Sequence, residues 1–100
     1  MRVRYHSEAA DEREAAAAWY ESRHPFLGDE FQAEVRAAQA AIAENPYAWP
    51  HWPGLEDLSV RHRVLDRFPY SLPYLIRGDT EAVILAVAHG KRRPGRASRF

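Results

Sequence analysis

Phe68-Pro69-Tyr70-Ser71-Leu72-Pro73-Tyr74-Leu75-Ile76 puts an aromatic or aliphatic side chain at every second position for nine residues. That period of two is the mark of a strand with one face on a core. Pro69 and Pro73 fall on the opposite face, and each removes one ladder donor, so the strand is expected to be bulged or locally unpaired there. Upstream, Val60, His62 and Val64 alternate with Arg61 and Arg63, a second strand. Downstream, Gly78-Asp79 reads as a two-residue hairpin turn of type II′. Ala82 to Ala88 is apolar at every position. Such a run reads as a central strand covered on both faces.

The first half of the chain supplies what covers that sheet. Val3 and Tyr5 alternate with Arg2, Arg4 and His6, a short strand. Ser7 is a good N-cap residue, and Glu8, Asp11 and Glu12 follow where the helix dipole favours acids. A helix is therefore expected to run to about Ser22, with Ala9, Ala16, Trp19 and Tyr20 as its buried stripe. His24-Pro25 breaks it. From about Gly28 a second helix carries Leu27, Phe31, Val35, Ala38 and Ile42 at steps of three and four, and Asn45-Pro46 stops it. The pair forms a helical hairpin. Residues 46–58 contain Pro46, Pro50, Pro53 and Gly54 and form no regular element; Trp49 and Trp52 within them are expected to close an open end of the core. The fold class is α+β, in the order β-α-α-β-β-β, a helical hairpin packed on a small antiparallel sheet. At 100 residues this is one domain, residues 1–100.

Charge is unevenly placed. Residues 1–50 hold five Arg against nine Asp or Glu, and residues 51–100 hold nine Lys or Arg against five acids. Five of those cations, Lys91, Arg92, Arg93, Arg96 and Arg99, lie in the last ten residues, which carry no acid. That run is a surface for a phosphate backbone or an acidic partner. There is no Cys, so disulfides and thiolate-bound metals are excluded. The five His residues show no ligand spacing, the glycines form no phosphate loop, and no cofactor is expected. The N-terminus lacks the apolar run of a signal peptide, and Ala82–Ala88 is too short to span a bilayer, so a cytoplasmic protein is expected.

These residues together resemble the RelE/ParE superfamily of bacterial toxins. The likeness is carried by Trp19-Tyr20, Leu27-Gly28 with Phe31, Asn45-Pro46, Arg67-Phe68-Pro69-Tyr70 with Leu72 and Tyr74, and Ala86-Val87-Ala88-His89-Gly90-Lys91-Arg92-Arg93-Pro94. It implies the toxin half of a type II toxin–antitoxin pair, neutralised by a cognate antitoxin in a hetero-oligomer. Two mechanisms divide the superfamily: ParE-like inhibition of DNA gyrase and RelE-like cleavage of messenger RNA on the ribosome. Relatives that have lost activity are a third possibility. Metal-free RNA cleavage needs a base, an acid and cations at the phosphate. Here those are His89, as base or acid, and Arg61 and Arg63, as a phosphate clamp. Lys91, Arg92, Arg93, Arg96 and Arg99 are the candidate target- or phosphate-binding residues. Many relatives carry an aromatic pair where this chain has Arg96 and Ala97, and that departure favours gyrase inhibition.

Overall fold

The computed structural model describes residues 1–54 and 59–90. Its elements are β1 (Arg2–Tyr5), α1 (Ser7–Arg23), α2 (Leu27–Glu44), β2 (Val60–Val64), β3 (Tyr70–Arg77), β4 (Glu81–Ile84) and β5 (Ala88–His89). The sheet runs β1-β4-β3-β2, with β5 also on β3. Every pairing of β3 is antiparallel, as anticipated, but β1 joins β4 parallel, from Arg2 opposite Glu81 to Tyr5 opposite Ile84. The sheet is therefore mixed. The helical hairpin is the long crossover that a parallel strand requires.

Pro73 shapes the middle of the sheet. Tyr74 faces Ile84, whereas Ser71 faces Ala88, so Leu72 and Pro73 span three residues, Leu85 to Val87. The Pro73 carbonyl accepts from the Leu85 amide at 2.8 Å, so this edge of Pro73 faces the β4 side. There its ring supplies no N–H, and the extra residue bulges out where the ladder lacks a donor. The hairpin after it is wider than the two residues expected, since Arg77 pairs with Glu81 and leaves Gly78 to Thr80 between them; within it Gly78 and Asp79 both have positive φ, 60° and 56°. A type I′ turn requires this, whereas type II′ has only its first central residue there.

The core on the helical face joins Ala9, Ala16 and Ala17 of α1 and Phe31, Val35, Ala38 and Ile42 of α2 to Phe68, Leu72, Tyr74, Ala82, Ile84 and Val87. A smaller cluster covers the other face: Trp52, Val60, Val83, Leu85, Ala86 and Ala88, with Leu75 against it. The run Ala82–Ala88 thus divides its side chains between two cores, alternating except at the bulge, where Leu85 and Ala86 both join the second. Pro50 to Trp52 lies along the outer edge of β2, with the Trp52 amide on Val60 O at 2.8 Å and the His62 amide on Pro50 O at 2.9 Å. Trp49 packs on the main core and donates Nε1–H to Ala41 O at 3.2 Å. Both Trp residues therefore close core surfaces.

Two helix details depart from the sequence reading. The α1 N-cap is His6 rather than Ser7: its Nδ1 accepts from the Glu8 amide at 3.1 Å, an acceptor role that imidazole shares with a hydroxyl. Trp19 is 52% exposed and leaves the buried stripe. At roughly 100° per residue it lies about 80° off the Ala9 line, whereas Ala16 and Tyr20 fall within about 20° of it. The hairpin turn is held by Glu21, whose carboxylate accepts from the Phe26 amide at 2.9 Å and the Gly28 amide at 3.0 Å. That caps α2 from its neighbour, since Phe26, at the N-cap with φ 67°, offers no side-chain acceptor.

Candidate functional site

Where α1 passes the bulged end of the sheet, an apolar groove of about 550 Å³ opens. Trp19 and Tyr20 form one wall, Pro69 and Tyr70 another, and Val87 and His89 the floor. The α1 geometry that frees Trp19 from the core places it here. Tyr20 is the hinge between groove and core: its ring lies 4.8 Å from Phe68, 5.3 Å from Phe31 and 6.2 Å from Tyr70. Burial, with a smaller contribution from Tyr70, raises the pKa of Tyr20, so this wall stays uncharged. The Arg23 guanidinium stacks 4.6 Å from the Trp19 ring centroid and adds a cation at the rim.

Glu12 stands at the back of the groove and accepts the Val87 amide at 3.0 Å. The bulge turns this amide away from the β3 ladder, and a carboxylate from α1 supplies the acceptor. Sequence reasoning gave Glu12 only a helix-dipole role, yet a signal for the site was present: it sits three residues after Ala9 and four before Ala16, an acid beside an alanine stripe. Tyr70 was read only as a strand residue; its ring meets His89 edge-on at 5.2 Å and 81°.

Of the residues anticipated for catalysis, the structure places His89 in this groove, at the end of β5 and opposite Tyr70 in the ladder. Arg61 and Arg63 pair with Tyr74 and Leu72 and so lie on the same face of the sheet, but on β2, across β3 from β5. Neither lines the groove. Arg61 donates from Nη1 to the carbonyls of Trp49, at 2.8 Å, and Tyr47, at 3.2 Å. Arg63 stacks 4.6 Å from the Trp49 ring centroid, donates to Val64 O and lies 3.9 Å from Asp66. Both cations hold the segment after α2 onto β2. The anticipated target-binding residues Lys91, Arg92, Arg93, Arg96 and Arg99 lie outside the described residues.

Another histidine, His62, serves the second core. His62 lies between Trp52, 5.2 Å away edge-on, and Ser71 Oγ, 2.9 Å from its Nδ1, and burial lowers its pKa. Among the described residues, no three His, Asp or Glu side chains gather as a metal site would require.

Residues 3–94 match the family described as ParE toxin of type II toxin-antitoxin system, parDE. A solved structure described as the chromosomal ParDE TA system from P. aeruginosa is similar at 20% identity, over 89% of this chain and 95% of that one, with a TM-score of 0.69. At that identity the likeness establishes the fold. No protein among the curated ones matches closely enough to count as a relative.

Proposed function

The chain belongs to the ParE toxin family of type II toxin–antitoxin systems, and from that premise we propose that it arrests growth by binding and inhibiting DNA gyrase, without a hydrolytic site of its own. The observation that carries this reading is the placement of Arg61 and Arg63. A nuclease needs its cations free to meet the phosphate beside the base. Here both guanidinium groups are engaged with the loop after α2, across β3 from His89. His89 instead faces aromatic walls, which suit an apolar side chain of a protein partner.

In this reading residues 1–100 act as one toxin domain in the cytoplasm, where the enzyme it inhibits works. Among the described residues no helix is long and apolar enough to cross a membrane. A cognate antitoxin binds the toxin in a hetero-oligomer and keeps it inactive. Lys91, Arg92, Arg93, Arg96 and Arg99 carry the contact with gyrase or its DNA, as a run of five cations without an acid favours either an acidic surface or phosphates.

The test is a supercoiling reaction with purified gyrase and relaxed plasmid. The chain is expected to block supercoiling in a dose-dependent way. Unimpaired supercoiling, together with new cuts in ribosome-bound messenger RNA in a reconstituted translation reaction, would replace this reading with the nuclease one.

A further inference from the structure

Gly90 stands immediately before the basic run, and its backbone is caught on Pro69. Its N–H donates to the Pro69 carbonyl oxygen at 2.5 Å. A Cβ at this position would lie 3.1 Å from that same oxygen, 3.6 Å from the carbonyl carbon and 3.9 Å from the Pro69 Cα. The approach is tighter than most side chains make, so a Cβ here would force the Gly90 backbone or the Pro69 carbonyl to give way.

Pro69 has little freedom to retreat. Its own φ is fixed by the ring. The turn that carries it is closed by Leu65 N–H on Tyr70 O at 2.9 Å and Tyr70 N–H on Phe68 O at 2.7 Å. Glu34 of α2 ties down the same turn through the amides of Asp66 and Arg67, and Phe68 is buried in the main core. On the other side of the contact, only the two-residue β5 precedes Gly90. A methyl group at residue 90 would therefore displace the Gly90 backbone rather than the turn.

We infer that Gly90 is a positioning residue for growth arrest: its close contact with Pro69 fixes the main chain at residue 90, which in the sequence stands immediately before Lys91-Arg92-Arg93. This rests on the reading above that the basic run engages the target. A fixed point of departure spares the binding segment part of the ordering cost of docking. Gly90→Ala removes that advantage while leaving every charge in place.

The experiment compares four full-length forms: wild type, a chain lacking residues 91–100, Gly90→Ala, and a chain with one alanine inserted after Gly90. The insertion keeps the glycine and its hydrogen bond but shifts the basic run by one residue. Each is induced at graded levels in cells and scored for growth arrest, then purified for melting temperature and inhibition of gyrase supercoiling. Gly90→Ala and the insertion are each expected to need about tenfold more protein for the same arrest, the scale on which preorganisation acts, with melting temperatures within about 2 °C of wild type.

Wild-type potency in Gly90→Ala overturns the inference. If Gly90→Ala melts lower by more than about 5 °C, the insertion decides: lost potency at wild-type stability supports the inference, and full potency overturns it. A truncated chain that still arrests growth overturns the premise about the basic run, and the inference with it. Growth arrest without any effect of the wild type on supercoiling removes gyrase as the target, while the comparison of arrest between forms still judges Gly90.

Discussion

Replacing Glu34 with alanine tests whether the turn between β2 and β3 is held by α2 rather than by its own residues. One oxygen of Glu34, Oε1, accepts both the Asp66 amide at 3.1 Å and the Arg67 amide at 3.0 Å. The other lies 3.8 Å from Arg67 Nε, and Glu30 holds Arg67 Nη2 at 3.1 Å. Hydrogen bonds to a charged group are worth about 1.5–3 kcal/mol each when sheltered. Both amides are at the surface, where water recovers part of the loss, so about 1 kcal/mol apiece is the reasonable scale. The ion pair adds little, since Arg67 is more than half exposed and Glu30 remains as a partner. Glu34→Ala should therefore cost about 2 kcal/mol, or about 8 °C of melting temperature for a domain of this size. Glu34→Gln keeps a carbonyl oxygen for both amides and should cost about 1 kcal/mol or less. Urea unfolding of the three proteins at one pH measures this directly. Equal stability of wild type and Glu34→Ala would refute the argument, as would a Gln variant as unstable as the Ala variant.

Three further perturbations follow from the packing. A Cβ at Gly28 would stand 2.6 Å from the Ala17 carbonyl oxygen of the facing helix, so Gly28→Ala should destabilise by about 1–3 kcal/mol through forced separation of the helices, read as a lower urea midpoint. Tyr74 is fully buried, its hydroxyl donates to Pro46 O at 2.5 Å, and burial pushes its pKa up to about 12; Tyr74→Phe strands that carbonyl and should cost about 1–2 kcal/mol in the same assay. Burial lowers the His62 pKa in the fold, so protonation favours the unfolded chain: stability attributable to this group should be intact above the unfolded value of about 6.5 and fall as the pH drops through it. His62→Gln should flatten the difference in urea midpoint between pH 7 and pH 5, and an unchanged difference would exclude His62 as its source.

Local pattern carried most of the fold. Alternation from Phe68 to Ile76 and the fours and threes from Leu27 to Ile42 are signals of one element, and the buried faces in the structure are the ones those periods select. The helix stop at His24-Pro25 and the doubly covered run Ala82–Ala88 were legible for the same reason. What was not legible depends on partners distant in the chain. Nothing within Arg2–Tyr5 says that its neighbour is β4 or that the two run parallel. Trp19 was placed in the stripe by its spacing of ten from Ala9, although at roughly 100° per residue that spacing puts it at the rim. The turn at Gly78-Asp79 was located by composition, but its type depends on a positive φ at Asp79, which an aspartate tolerates without advertising.

The same distinction governs the site. Two arginines two residues apart on a strand share a face, and that much is secure from sequence. What they touch is decided by Tyr47 and Trp49, which return over β2 from a segment without regular structure. Once their guanidinium groups are tied to that segment, the basic character of the second half no longer rests on β2. It passes to the run after Gly90, while the groove beside α1 keeps aromatic walls, one carboxylate engaged with the bulge, and His89. Pro73 sits at the origin of that arrangement: by lacking an N–H it makes the bulge, the bulge frees the Val87 amide, and Glu12 reaches from α1 to accept it. A chain of local necessities thus sets the groove beside the contact of Gly90 with Pro69, which is why a single methyl at residue 90 is the sharpest probe of whether position, and not only charge, matters to the toxin.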